Sequence, residues 1–123
     1  MRLSITGSRS ISISFNDITQ HLPEQTTAII SGGALGVDSI VADYAEAHGI
    51  ELQVIRPQYD RFTTPRLAPL ARNTDIISQS DYCLFFWDGR SRGTAHTISE
   101  ARRLGRHGKV VVMGGLTRAV MSF

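Results

Sequence analysis

The chain is poor in cysteine and lysine, and it has no long apolar run. Its 123 residues include one cysteine, Cys83, so no intramolecular disulfide can form and we expect a reducing compartment. No apolar segment approaches the roughly 20 residues that span a bilayer, and the N-terminus shows no secretory signal. We therefore expect a cytoplasmic protein with no membrane partner.

Lysine is nearly absent, because only Lys109 among the 13 basic residues is a lysine. The remaining basic residues are arginines, whose planar forks of N–H donors suit phosphate and carboxylate groups. A genomic preference for GC-rich codons would produce the same bias, so composition leaves both explanations open. The formal net charge is only +2, too weak a field to indicate nucleic acid by itself.

Several common ligand-binding motifs are also missing. The absence of Gly-x4-Gly-Lys-Ser/Thr argues against a P-loop nucleotidase, and no Gly-x-Gly-x-x-Gly follows the first strand. There is no Gly-x-Ser-x-Gly nucleophile elbow. No His/Cys cluster has the spacing of metal ligands, so we predict neither a metal site nor a resident cofactor.

Strand-like segments alternate with helical segments along the chain. Hydrophobic residues make up 41% of it, as in a globular protein, and we predict a single domain over residues 1–123. The alternation predicts a three-layer α/β/α Rossmann-like fold with a mostly parallel five-stranded sheet. The predicted strands are Arg2–Thr6, Thr27–Ile30, Leu52–Arg56, Asp81–Trp87 and Lys109–Met113, and the predicted helices cover about 15–21, 36–48, 69–78 and 94–106. The tail 114–123 is either an extra strand or a frayed end.

The most informative segment is Ser31-Gly-Gly-Ala-Leu-Gly-Val-Asp38, between a β-branched strand and a helical segment. The backbone N–H groups of such a turn lack partners within the helix, and the helix dipole is positive there. The segment therefore predicts an anion cradle through the N–H groups of about residues 33–37. Two structural explanations remain open. The glycines can serve only to form a tight turn that lets the helix pack closely, and Asp38 can be a carboxylate favoured by the positive end of the helix dipole.

Two further polar loops are expected at the same edge of the sheet. Gly7-Ser8-Arg9 follows the first strand, and Asp88-Gly-Arg-Ser-Arg-Gly-Thr94 follows the fourth. Right-handed crossovers bring all strand-to-helix loops to the carboxyl edge, where folds of this class bind ligands. The three loops together therefore predict one binding site.

Each polar residue of the third loop also has a structural explanation. Asp88 can form an Asx turn before Gly89, and Thr94 can cap the following helix. Arg90 and Arg92 can be solvated loop charges. His96, in the first turn of that helix, suits a surface position better than a catalytic one.

Four motifs in order resemble the SLOG superfamily, the Rossmann-like group that includes the DNA-uptake protein DprA (Smf) and the LOG phosphoribohydrolases. They are Gly7-Ser8-Arg9, Ser31–Asp38 with Ala42, Arg72-Asn73, and Trp87–Thr94 with Ile98 and Ala101. The resemblance runs from about residue 3 to residue 113 and is closest to the small stand-alone branch described as DUF2493, or YspA-like.

The resemblance implies a nucleotide or a nucleotide-derived ligand of the NAD or ADP-ribose type, sensed or sequestered at the carboxyl edge of the sheet. It also implies a homo-oligomer, for which the apolar end 119–123 is a candidate interface strand. The implied ligand-binding residues are Gly7, Ser8, Arg9, Ser31, Gly32, Gly33, Leu35, Gly36, Val37, Asp38, Arg72, Asn73, Trp87, Asp88, Ser91, Gly93 and Thr94.

The chain departs from the LOG enzymes at their acidic motif. Those enzymes carry Pro-Gly-Gly-x-Gly-Thr-x-Glu-Glu, whereas His96 and Thr97 stand at the acidic positions here. A binding module is therefore the first expectation. The alternative is a nucleotide N-glycosidase of the phosphoribohydrolase type, with Asp88, Asp38 or His96 as acid or base.

A third alternative is a DprA-like protein that binds single-stranded DNA. Tyr59, Phe62 and Trp87 would then stack on bases while arginines contact the phosphates. The small net charge disfavours nucleic acid as a partner.

Overall fold

The computed structural model of the protein describes residues 1–114 and 118–123. In chain order its elements are β1 (Arg2–Gly7), α1 (Phe15–His21), β2 (Ala28–Ser31), α2 (Val37–Ala47), β3 (Glu51–Val54), a 3-10 turn (Tyr59–Arg61), α3 (Leu67–Gln79), β4 (Tyr82–Trp87), α4 (Arg92–Arg103), β5 (Gly108–Val112) and β6 (Ala119–Ser122). Within these described ranges, no helix has the length and apolar character needed to cross a membrane.

The strands form one sheet in the order β3-β2-β1-β4-β5-β6. The first five strands run parallel, with Ile5 of β1 opposite Leu84 of β4. The predicted Rossmann-like α/β fold is confirmed, but the sheet has six strands rather than five. The additional strand is β6, which pairs antiparallel with β5 and comes from the tail that the sequence left ambiguous. Residues 115–117 of that tail lie outside the described residues.

The two faces of the sheet carry separate hydrophobic clusters, because successive side chains of a strand point to opposite faces. On β4, Leu84 and Phe86 pack with α1 and α2, whereas Cys83 and Phe85 pack with α3 and α4. Leu3 and Ile5 of β1 belong to the first cluster. The helices therefore cover both faces of the central strands, and the carboxyl ends of these strands remain open for a site.

The helix that follows β4 begins earlier than predicted. Ser91, in extended backbone, is the residue before its first turn, so Thr94 lies inside the helix and is not its N-cap. The reason is that Asp88 accepts the Ser91 N–H and turns the chain into the helix three residues sooner. At the end of α2, Gly49 adopts a positive φ of 61° after the last helical residues.

Candidate functional site

The loops after β1, β2 and β4 meet in one cleft at the carboxyl edge of the sheet. β1 lies between β2 and β4, so the strand order reverses there, and such switch points are the usual ligand sites of open α/β sheets. The cleft has a volume of about 420 Å³, within the range of small-molecule sites. The sequence-predicted residues that line it are Gly7, Ser8, Arg9, Gly32, Asp38, Arg72, Asn73, Asp88, Ser91, Gly93 and Thr94.

Seven other predicted residues do not line the cleft; they are Ser31, Gly33, Leu35, Gly36, Val37, Trp87 and His96. Val37 is 1% exposed and belongs to the core, whereas Leu35 is 80% exposed and points to solvent. The Trp87 indole N–H donates to the Ser91 carbonyl oxygen, so it holds the loop. Gly33 and Gly36 have positive φ angles and shape the turn.

The sequence prediction missed Thr6, Ser10, Ala34, Pro69, Leu70 and Thr97, all of which line the cleft. Thr97 follows Thr94 by three residues on α4, a spacing that puts both hydroxyls on one helix face and could have indicated it. The Thr6 hydroxyl is buried with no hydrogen-bond partner among the described residues. Pro69 and Leu70 come from the first turn of α3 and give the cleft an apolar side.

Arg72 supplies a buried positive charge at the wall of the cleft, with only 8% of the residue exposed. Its Nη1 donates to the carbonyl oxygens of Gly32 at 2.7 Å and of Ile55 at 3.4 Å. Burial lowers the pKa of the guanidinium, but arginine starts so far above neutrality that it stays charged. The side chain is therefore a fixed cation and not a mobile surface arm.

A chain of hydrogen bonds fixes the orientation of this guanidinium. Arg72 Nε donates to Asn73 Oδ1 at 2.8 Å, which leaves the Asn73 amide nitrogen to donate to Thr97 Oγ1 at 3.1 Å. Thr97 Oγ1 donates in turn to the Gly93 carbonyl oxygen at 2.9 Å. Helices α3 and α4 are thereby linked by a hydrogen bond across the cleft.

A cluster of three hydroxyls lies beside the first turn of α4. Ser8 Oγ is 2.8 Å from Ser91 Oγ and 3.4 Å from Thr94 Oγ1, and it accepts the Asp88 N–H. Hydroxyl groups can rotate to donate or accept. The cluster can therefore present donors to an anion or acceptors to a sugar hydroxyl.

Asp88 anchors the loop that precedes α4. Its Oδ2 accepts from Ser10 Oγ at 2.5 Å, and its Oδ1 accepts the N–H groups of Arg90 at 2.8 Å and Ser91 at 2.7 Å. These hydrogen bonds hold the pKa of Asp88 far below its ordinary value. The carboxylate therefore stays ionised near neutral pH and cannot serve there as a general acid, and its contacts are those of an Asx turn.

Asp38, the second residue of α2, occupies part of the predicted anion cradle. Its Oδ2 accepts the Ala34 N–H at 2.9 Å, so that amide is already engaged by the chain's own carboxylate. Burial raises the pKa of Asp38, although the Ala34 hydrogen bond and the Arg72 charge act in the opposite direction. The β2–α2 loop thus offers fewer free N–H groups than its sequence suggests.

The first turn of α4 is the more open anion site. Ser91 makes no side-chain capping bond, and the N–H groups of Arg92, Gly93 and Thr94 have no acceptor among the described residues. A Cβ placed at Gly93 would meet no atom within 4 Å, so the backbone faces open space. The positive end of the helix dipole is therefore accessible from the cleft.

No protein-family model and no curated protein matches the chain. Function must be read from the cleft itself. The groups in it that are able to bind an anion are the Arg72 guanidinium, the hydroxyl cluster and the first turn of α4. Arg9 adds a second guanidinium at the mouth that makes no hydrogen bond or ion pair within residues 1–114 and 118–123.

Proposed function

We propose that the cleft binds a nucleotide or a nucleotide-derived anion of the NAD or ADP-ribose type, and that the protein senses or sequesters this ligand as a member of the SLOG superfamily. One observation carries the proposal: a buried, fixed guanidinium and the open first turn of a helix face the same cleft at the switch point of the sheet. Two anion-binding devices that converge in this way suit a phosphate group.

The cleft suggests how such a ligand lies. Its phosphate sits against the first turn of α4, where Gly93 allows close approach and the Ser91 and Thr94 hydroxyls donate. The apolar side of the cleft, at Pro69 and Leu70, takes the flat face of the base.

Hydrolysis of an N-glycosidic bond is a second candidate function, favoured by Asp38. A half-buried carboxyl with a raised pKa beside a polar cleft is the kind of group that acts as a general acid. Asp88 does not suit that role, because both of its oxygens are engaged and its pKa is lowered. His96 is exposed and does not line the cleft.

Binding of single-stranded DNA has less support. Of the three aromatic side chains considered for stacking, only Tyr59 is largely exposed, whereas Phe62 and Trp87 are half-buried. Trp87 packs against the second core cluster, so its ring face is not free. A stacking platform needs several exposed rings in a row.

Thermal unfolding with AMP, ADP-ribose, NAD and cyclic ADP-ribose tests the proposal. A ligand at 100 times its Kd stabilises the protein by about 2.7 kcal/mol. The Arg72→Gln variant should lose this shift, and Arg90→Gln, which removes the same charge from a residue outside the cleft lining, should keep it. No shift with any of these ligands, or an equal loss in both variants, would contradict the proposal.

Chromatography of the same mixtures separates binding from hydrolysis. Release of free base by the wild type and not by Asp38→Asn would establish the second function. Intact ligand after prolonged incubation, together with a thermal shift, supports the binding module alone.

A further inference from the structure

We propose that a second cavity, on the other side of Arg72 from the cleft, is a separate binding site for a phosphate group. The cavity lies at the carboxyl end of β3 and has a volume of about 220 Å³. Arg56, Arg61 and Arg72 line it, together with Asp75 and the apolar side chains of Ile55 and Phe62. It is smaller than most sites for whole nucleotides, so it suits one phosphate group.

No arginine of this cavity forms an ion pair within the described residues, although the Asp38 carboxylate acts on the charge of Arg72 from the cleft. The described ion pairs join Arg103 to Glu100 and Arg118 to Asp17, and neither involves an arginine of the cavity. Asp75 also lines the cavity, but within the described ranges it lies beyond 4.0 Å from every guanidinium there. Three guanidinium groups that line one cavity can all donate to the same anion between them.

The three arginines are also held in ways that leave donors free. Arg61 Nη1 donates to Gln58 Oε1 at 2.7 Å, and Arg56 Nη1 donates to the Gly33 carbonyl oxygen at 3.5 Å. Each guanidinium is therefore oriented by one hydrogen bond, while most of its N–H groups remain free to donate. Both side chains are exposed and can close over a bound group. Arg72 forms the fixed wall between them and the cleft.

Arg72 provides the observation that points to a ligand. Its Nε and Nη1 are taken by Asn73, Gly32 and Ile55, but its Nη2 has no acceptor among the described residues. Nη2 is not among the buried atoms that the described residues leave without a partner, so it remains open to solvent and free to donate to an anion. One guanidinium thus serves both the cleft and the second cavity.

The shared arginine leaves two sources for the phosphate group. It can be free phosphate, or it can be a second phosphate on a ligand whose first phosphate lies in the cleft. In both cases the cavity recognises the same chemistry, and the two sources differ in whether the cleft is filled at the same time. This inference does not depend on the function proposed for the cleft.

NMR titration of the full chain tests the second site. The backbone amides of Phe62 and Ala71 report on the cavity, and those of Ser8 and Gly93 report on the cleft. With inorganic phosphate as the probe, we expect saturable shifts at the cavity amides. The Arg61→Gln variant should weaken that binding by about tenfold, because it removes a charge-assisted pair.

Arg66→Gln is the matched control, since Arg66 is exposed, lies near the cavity in the chain and does not line it. It should leave the phosphate affinity of the cavity within about twofold of the wild type, as expected of an exposed charge. If both variants lose phosphate affinity equally, the phosphate responds to the general positive charge of this region and not to a defined site, and the proposal is overturned. Shifts that never saturate would also overturn it.

A second titration, with adenosine 3′,5′-bisphosphate, separates the two sources. Cavity and cleft amides that shift together with one Kd support a ligand that bridges Arg72, whereas cavity shifts with inorganic phosphate alone support an independent phosphate site. If the chemical shifts of the cavity amides change in neither titration, the proposal is overturned, even if the shifts of the cleft amides change. If the cavity amides show saturable shifts and the cleft amides show none, the second site is supported and the function proposed for the cleft is not.

Discussion

Arg72 donates a hydrogen bond of 2.7 Å from Nη1 to the carbonyl oxygen of Gly32, 40 residues earlier in the chain. The two residues depend on each other, because a Cβ at position 32 would lie 2.7 Å from the same Nη1 atom and 2.8 Å from Cζ. The absence of a side chain at Gly32 therefore leaves room for the Arg72 guanidinium, in addition to shaping the turn. The charge at the wall of the cleft is built into the fold.

Gly32→Ala is expected to displace the Arg72 guanidinium, because the new methyl group and Nη1 cannot occupy the same space. We expect the free energy of unfolding to fall by about 1–3 kcal/mol, as for an overpacked buried site, and AMP affinity to fall with it. Urea denaturation and calorimetric titration measure the two effects. Gly93→Ala is the control for stability alone, since its Cβ meets no protein atom within 4 Å; an equal loss of unfolding free energy in the two variants would contradict the prediction.

Arg72→Lys separates the charge of this side chain from its shape. A lysine ammonium keeps the positive charge but cannot bond to Asn73, Gly32 and Ile55 with the geometry of a planar fork. We expect a loss of about 1–3 kcal/mol in the free energy of unfolding, because a buried carbonyl oxygen is left unpaired. Wild-type stability and wild-type AMP affinity in this variant would show that charge alone is sufficient.

Asp88→Asn is expected to destabilise the protein near neutral pH by about 1–3 kcal/mol, because the ionised carboxylate accepts three hydrogen bonds. The pKa of Asp88 is lower in the folded protein than in the unfolded chain. Its stabilising contribution is therefore complete above the ordinary value near 3.8 and disappears as the pH falls through the folded value. Urea denaturation at neutral and strongly acidic pH should show the two proteins converging in acid; a constant difference would contradict this.

Asp38→Asn should have the opposite pH dependence. Burial raises the pKa of Asp38, so the folded protein retains this proton to higher pH than the unfolded chain does. Ionisation therefore costs stability as the pH rises above the ordinary value of 3.8, and the cost is complete above the folded pKa. An asparagine can still accept the Ala34 N–H, so we expect the variant to match the wild type in acid and to be more stable near neutrality.

The same Asp38→Asn variant should bind AMP several-fold more tightly, because it removes a negative charge from the lining of an anion site. Calorimetric titration measures this affinity. Asp43→Asn is the matched control, as Asp43 is an exposed carboxylate on the same helix and does not line the cleft. Unchanged or weaker binding in Asp38→Asn would indicate that the phosphate lies far from this carboxylate.

Most of the sheet could be predicted from the sequence, because β1, β2, β4 and β5 are apolar runs that lie between helical segments. β6 could not be predicted in the same way. Val120 and Met121 are both exposed although they point to opposite faces, so the strand has no alternation of buried and exposed residues. Its strand conformation depends on pairing with β5, which is a tertiary contact.

The candidate site was predictable in outline and not in its internal contacts. The glycine loops could be picked out because they follow strands and lead into helices, whereas Arg72 was proposed only through the resemblance to the SLOG superfamily. The capture of the Ala34 N–H by Asp38 could not, since a helix-terminal carboxylate can equally face solvent. Thr97 was missed although its spacing from Thr94 was a signal, because that spacing does not show which residues lie across the cleft.

The sequence by itself determined the order of strands, loops and helices, and through the fixed handedness of parallel crossovers it determined that three polar loops share one edge of the sheet. Only the tertiary structure decided which polar groups at that edge are satisfied by the protein and which remain open. The physical reason is the separation of the interacting residues along the chain. Periodicity and turn chemistry act over a few residues, whereas folding alone brings together Arg72 with Gly32 and Ser8 with Thr94.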